Sequence, residues 1–191
     1  MKLTKLNIVN LMLNATGDSP VNSLTGEDVY PEALECERII DDITHDIQLR
    51  GWTFNSIRTT LPINVLGEIP LPDSASTVIA VDPDCDVAMK EGRLYDQANN
   101  TYQFEEAPEV DIISSYAFDE LPEIPKTYIK IKAVMDYEAY RLNDSSRLTY
   151  RESDLQAAWV LLRRMERRKN PINWNDRNPV DAVARHYRRS L

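Results

Sequence analysis

The stretch Asp46-Ile47-Gln48-Leu49-Arg50-Gly51-Trp52-Thr53-Phe54-Asn55 marks the place where an amphipathic helix gives way to extended chain. Ahead of it Cys36, Ile39, Ile40, Ile43 and Ile47 recur at three- and four-residue spacing, which is one apolar face of a helix. Arg50 complements the negative end of the helix dipole, and Gly51 suits the left-handed residue just beyond it. Trp52 and Phe54 alternate with Thr53 and Asn55, the two-residue period of a half-buried strand. Two large rings entering on one face straight after a helix cap are expected to pin the junction of two layers.

Upstream, Pro31 at a first helical position with Glu32 and Glu35 behind it starts this helix. An earlier helix is predicted from about Thr4, a good N-cap, to Ala15, with Gly17 just past its end. Its stripes Leu3, Leu6, Val9, Leu13 and Ile8, Leu11, Met12 make it apolar on two sides, so it belongs between neighbours.

Downstream the punctuation changes. Short runs at 57–65, 78–81, 92–95, 101–104 and 110–118 are separated by Gly67, Pro70, Pro72, Asp82-Pro83-Asp84, Glu91-Gly92 and Asn99-Asn100. Strands at this spacing predict a small antiparallel sandwich or barrel, with Asn99-Asn100 as a hairpin tip. After Pro122 and Pro125, residues 126–143 read as a third helix on Tyr128, Ile131, Met135, Ala139 and Leu142. A fourth, about Glu152 to Lys169, carries the stripe Leu155, Ala158, Trp159, Leu162 and Met165. Its last turns hold Arg163, Arg164, Arg167, Arg168 and Lys169. Pro171 ends it, and Val180 to Leu191 reads as a short helix at most.

The pattern predicts an α+β fold. A helical bundle forms from residues 1–51 and 123–170, a β domain from 52–122 is inserted in it, and a C-terminal arm spans 171–191. The arm has too few apolar residues for a core of its own. It concentrates Trp174, Arg177, Arg185, Tyr187, Arg188 and Arg189, residue types that anchor interfaces.

Charge divides the chain. Residues 1–140 hold 10 Lys and Arg against 25 Asp and Glu, while 141–191 hold 12 against 6. A net-negative body repels phosphate, which argues against broad nucleic-acid affinity, and the basic end then needs a partner of its own. The arginines of the fourth helix are expected to face acidic residues of a neighbouring subunit in preference to phosphate. No apolar run approaches the ~20 residues of a membrane span, and Asn7, Asn10 and Asn14 interrupt any signal-like core, so a chain used without secretion is expected.

The candidate chemistry is thin. His45 and His186 are the only histidines, and His45 sits among Asp41, Asp42 and Asp46, where a solvated or interfacial role is expected. No zinc spacing occurs. Asp82-x-Asp84-x-Asp86 opens like a calcium loop, but Val87 stands where the sharp turn wants Gly and Arg93 where a bidentate Glu belongs. Cys36 is expected to be a small buried hydrophobe and no disulfide with Cys85 is expected. Glu105-Glu106 and Asp119-Glu120 are the paired carboxylates available to a glycosidase, if a pocket lies between them. No catalytic, metal or cofactor residue is predicted.

Gln48 to Asn55, with the acidic helix before it, resembles the tail tubular protein A family of short-tailed bacteriophages. So does Gly17-Asp18-Ser19-Pro20-Val21-Asn22-Ser23-Leu24 at the end of the first helix. The likeness is dense over residues 1–60 and looser beyond. It implies a structural virion protein, a subunit of the dodecameric adaptor ring between portal and tail nozzle around the DNA channel, assembled in the host cytoplasm. The implied partners are the portal protein ring, the nozzle protein and neighbouring copies. Double-stranded DNA passes through without sequence-specific binding, and no membrane is involved. The family's C-terminal segments reach back to the portal, which gives the arm its expected role. Two functions compete with this one: a carboxylate-dependent glycosidase acting on host surface sugars, and a small DNA-binding factor using the basic end.

Overall fold

Thr4 caps the first helix, α1 (Lys5–Thr16), its Oγ1 accepting the Asn7 N–H at 3.3 Å. Gly17, at φ 87°, closes it, with its own N–H on Asn14 C=O and that of Asp18 on Leu13 C=O. The computed structural model describes residues 2–26, 29–142 and 149–169. Ile8, Val9, Met12 and Leu13 are buried, and α1 lies against both α2 (Pro31–Gln48) and α3 (Glu123–Leu142). The two-sided apolar pattern predicted this placement.

Helix α2 buries Ala33, Cys36, Ile40, Ile43 and Ile47 and leaves Ile39 half-buried. Helix α3 starts at Glu123, three residues before the predicted start, and takes in Pro125. A proline in the first turn removes an N–H that has no partner within the helix anyway, so it does not interrupt the element. Helix α4 (Glu152–Lys169) has the predicted bounds and packs on α3 through Ala158 and Leu162. The four helices share one core, which also takes in Trp52, Phe118 and Leu121.

All strand pairs are antiparallel. Strands β1 (Ser56–Thr60), β5 (Glu109–Ser114) and β2 (Ala75–Ala80) form one sheet in the order β1-β5-β2. Strands β3 (Val87–Lys90) and β4 (Arg93–Asp96) form a hairpin. Its tip is Glu91-Gly92, at φ 51° and 70°, the positive pair that a two-residue hairpin turn requires. The two sheets share Ile69, Leu71, Val78, Leu94, Val110 and Ile112 as a second core.

The structure departs from several of these expectations. The 57–65 run is strand only to Thr60. Pro62 cannot donate to a ladder, and the side-chain Oδ1 of Asn64 takes the N–H groups of Leu66 and Glu68 to make a turn. The 101–104 run contributes one isolated bridge, Thr101 to Asp96. The 110–118 run stops at Ser114, and Phe118 opens a single 3-10 turn. Strand β3 lay in no predicted run, because Val87-Ala88-Met89-Lys90 has no clean alternation. Trp52 to Asn55 is a turn, and strand begins only at Ser56. The predicted arm, 171–191, and His186 lie outside the described residues.

Candidate functional site

The end of α2 and the turn after it are built on two buried amides. Gln48 Nε2 donates to Tyr116 C=O at 2.9 Å while its Oε1 accepts the Tyr116 N–H at 2.9 Å, the pairing one strand makes with another. Asn55 Oδ1 accepts the Trp52 N–H at 2.8 Å, and its Nδ2 donates to Gln48 C=O at 2.9 Å and Ser114 C=O at 2.8 Å. The Asn55 N–H returns to Trp52 C=O, which closes the turn. This is why the chain here is not strand: the side chain of Asn55 takes the bonds a ladder would have used. Both amides are almost fully buried with their polar atoms satisfied.

Gly51 is favoured by its backbone conformation and by its close neighbour. Its φ is 66°, and a Cβ there would come 2.8 Å from Ile113 Cδ1 on β5. A side chain at that position would make the end of Ile113 shift.

Trp52 turns into the helical core, its Nε1–H donating to Ile47 C=O at 2.6 Å. Phe54 lies half-buried against the same core. Trp52 meets Trp159 of α4 edge to face, centroids 5.5 Å apart and planes at 82°. Tyr128 of α3 lies 5.4 Å from Trp159 on another side, and the Arg50 guanidinium stands 4.8 Å from the Trp159 ring centre. From α4, Glu166 Oε2 reaches back to the Thr53 N–H and hydroxyl at 3.0 and 3.1 Å. These groups frame a cleft of about 510 Å³ lined by Arg50, Gly51, Trp52, Trp159, Arg163 and Glu166. A polar cleft of about 420 Å³ adjoins it, where Arg58 holds both carboxylate oxygens of Asp111 at 2.8 and 2.9 Å.

A family model described as tail tubular protein matches residues 6–172. The chain belongs to the tail tubular protein family. Tail tubular proteins are structural components of the phage tail. No curated protein matches the chain significantly.

In this tail tubular protein the cleft is lined by indole and guanidinium groups together with the Glu166 carboxylate. Glu105, Glu106 and Asp119 are exposed, and the Glu120 carboxylate accepts the Ala117 N–H; none of the four lines the clefts described here. Among the described residues no three His, Cys, Asp or Glu are grouped to hold a metal ion. Asp82 Oδ1 accepts the Asp84 N–H, and Asp86 bonds Gln97, which accounts for two of the three calcium-like carboxylates as turn-makers. Cys36 and Cys85 are both free thiols. Burial pushes the Cys36 thiol up to about 11, against the smaller opposing effect of Tyr137, so it is inert packing. His45 is exposed on α2. Among the described residues no helix is long and apolar enough to cross a membrane.

Sequence reasoning picked out Trp52 and Phe54 but missed Gln48, Asn55 and Glu166. It read Trp159 only as one member of a core stripe and Arg50 only as a dipole partner. The arm residues Trp174, Arg177, Arg185, Tyr187, Arg188 and Arg189 lie outside the described residues.

Proposed function

We propose that this tail tubular protein is a non-enzymatic subunit of the dodecameric adaptor ring that joins the portal to the tail nozzle around the DNA exit channel. The observation that carries this reading is the family match over residues 6–172, which takes in all four helices and both sheets. The charge division supports it. A body with 25 acidic against 10 basic residues over 1–140 repels phosphate, so double-stranded DNA can slide past without adhering.

In this reading residues 1–51 and 123–170 are the helical bundle and 52–122 the inserted β domain, held to it by Trp52 and Phe54. Residues 171–191 are an arm that clasps the portal or an adjacent subunit, with Trp174, Arg177, Arg185, Tyr187, Arg188 and Arg189 as its anchors. Arginines meeting portal carboxylates account for the gathering of positive charge at this end. The subunit alone stays monomeric, because like charges oppose crowding around a channel, and it closes into a ring on the portal template.

The test is to mix the purified chain with portal rings and image the product, beside a chain lacking residues 173–191. Rings stacked on portals with the full chain, and bare portals with the shortened one at unchanged melting temperature, are expected. Portals left bare by the full chain would refute the adaptor reading; attachment that survives the deletion would refute the arm. Light scattering that finds stable rings at low micromolar concentration without portal would refute templated assembly.

A further inference from the structure

Among the described residues, helix α4 is attached through one side only. Ala158 and Leu162 are buried against α3, while Ala157, Val160, Leu161 and Arg164 form an exposed stripe at three- and four-residue spacing. Val160 and Leu161 are each 45% exposed, and Arg163 lies beside the stripe, also exposed. Single exposed leucines are ordinary on a protein surface; an adjacent aliphatic pair leading into arginines has the make-up of an interface.

Helix α2 presents a complementary face. Leu34, Arg38, Asp42, His45, Asp46 and Leu49 recur along its outer side, with Leu34 49% and Leu49 46% exposed at the two ends. On that face Asp42, paired with Arg38 at 3.1 Å, and Asp46 are the carboxylates, and the helix as a whole holds six carboxylates against a single arginine. Both helices are 18 residues long, about 27 Å, so the two faces match in length as well as in charge.

We infer that the outer face of α4 docks on the outer face of α2 in the next copy of the chain. This rests on the ring-forming reading and names the surfaces that reading needs. Within one copy α3 packs against both α2 and α4. A contact between two unlike surfaces of the same chain is heterologous, running head to tail, and it closes into a ring when the rotation between copies allows. Nucleic acid is the less suited occupant of α4, because Val160 and Leu161 sit in the middle of the stripe where phosphate contacts would need more cations. The charges set register and exclude the α4-to-α4 and α2-to-α2 pairings; the aliphatic residues supply the buried area.

The experiment reverses each face separately. Chain one carries Arg163→Glu and Arg164→Glu, so both of its faces are acidic. Chain two carries Asp42→Arg and Asp46→Arg, which makes its α2 face basic like α4. Each variant alone should populate rings on portal at least about tenfold less than the wild type. An equal mixture should recover them, because copies then alternate acidic α4 on basic α2 and basic α4 on acidic α2. Melting temperatures near that of the wild type verify folding, and recovery in the mixture also requires both chains to be folded. Variants that each form rings as the wild type does would overturn the assignment, as would a mixture that fails to recover them. If the wild type itself forms no rings on portal, the adaptor reading fails and this inference falls with it.

Discussion

Among the described residues, eighteen buried side chains fill the core between the helices and six fill the core between the sheets. The helical core draws on all four helices and reaches beyond them for Val21, Trp52, Phe118 and Leu121. The sheet core is small, and Ile57 and Ile79 on its strands are more than half exposed. What the sheets lack in burial they make up in local geometry. The Asn64 turn and the Glu91-Gly92 tip fix the chain, the Arg93 guanidinium bridges Glu68 and Glu91 at 2.6 and 2.7 Å, and Tyr95 meets Tyr102 edge to face. Burial is cooperative over many contacts, whereas a turn or an exposed ion pair stabilises little beyond its neighbours. The sheet half should therefore open first.

The largest effect is expected at Trp52. Trp52→Ala empties a site that is 7% exposed in the helical core and removes the edge contact to Trp159, at a cost of ~3–5 kcal/mol. Denaturant unfolding followed by helical signal would show it. A variant as stable as the parent would mean that the larger core does not depend on its aromatic wall, and the contrast between the two halves would lose its basis.

Leu94→Ala is the matching cut in the sheet core, where Leu94 is 1% exposed on β4. It should cost ~2–5 kcal/mol of local stability. Amide exchange should rise across β1 to β5 while the amides of α1 and α3 stay protected. An equal rise in both halves would show one cooperative unit, and the comparison would be wrong.

The helices were legible because their signals are local. Thr4 marks an end by its capping hydroxyl and Gly17, Pro31 and Gly51 by their own backbone preferences, and the apolar period between them needs no knowledge of partners. The strands were legible only as a region, since their limits depend on which backbone groups find a ladder. The junction was half legible. The rings were visible, but Trp52 to Asn55 alternated like a strand because nothing nearby shows that Asn55 will bond Ser114, 59 positions away. Glu166 meets Thr53 across 113 positions, and no local pattern announces that. Trp159 was found as an apolar helical position, and its company of Trp52, Tyr128 and Arg50 is a product of the fold alone.

Asn55 is where the two cores can be uncoupled. Asn55→Ala takes the side-chain partner from the Trp52 N–H and the Ser114 C=O and leaves the Gln48 C=O with the Gly51 N–H, at ~1–3 kcal/mol in total after water enters the site. The expected sign of uncoupling is a split between helical and near-ultraviolet unfolding curves, which should coincide in the parent. Asn55→Asp keeps the acceptor for Trp52 and loses both donated bonds, so it should split the curves as well. Coincident curves in both variants would show that apolar contact alone joins the halves.

The smallest effect is expected at the exposed pair between β1 and β5. Arg58, bonded to both oxygens of Asp111, holds that carboxyl below the usual carboxylate range. A group whose folded value is depressed contributes stability that is complete above its unfolded value, about 3.9, and is lost as pH falls through the folded one. The contribution therefore belongs to neutral and mildly acidic solution and fades below about pH 4. Arg58→Ala should lower sheet stability slightly at neutral pH, and the difference should shrink as pH falls through the depressed value of Asp111, so the two stability curves converge on the acid side. Salt should shrink the neutral-pH gap, since Arg58 is more than half exposed and the pair is open to screening. Amide exchange on β1 and β5, measured at neutral and acid pH, reads this locally. A gap that does not shrink with falling pH or with added salt would mean that Arg58 acts through the packing of its aliphatic stem and not through its charge. The sheet half would then owe more to burial than the contrast between its small core and the helical one allows.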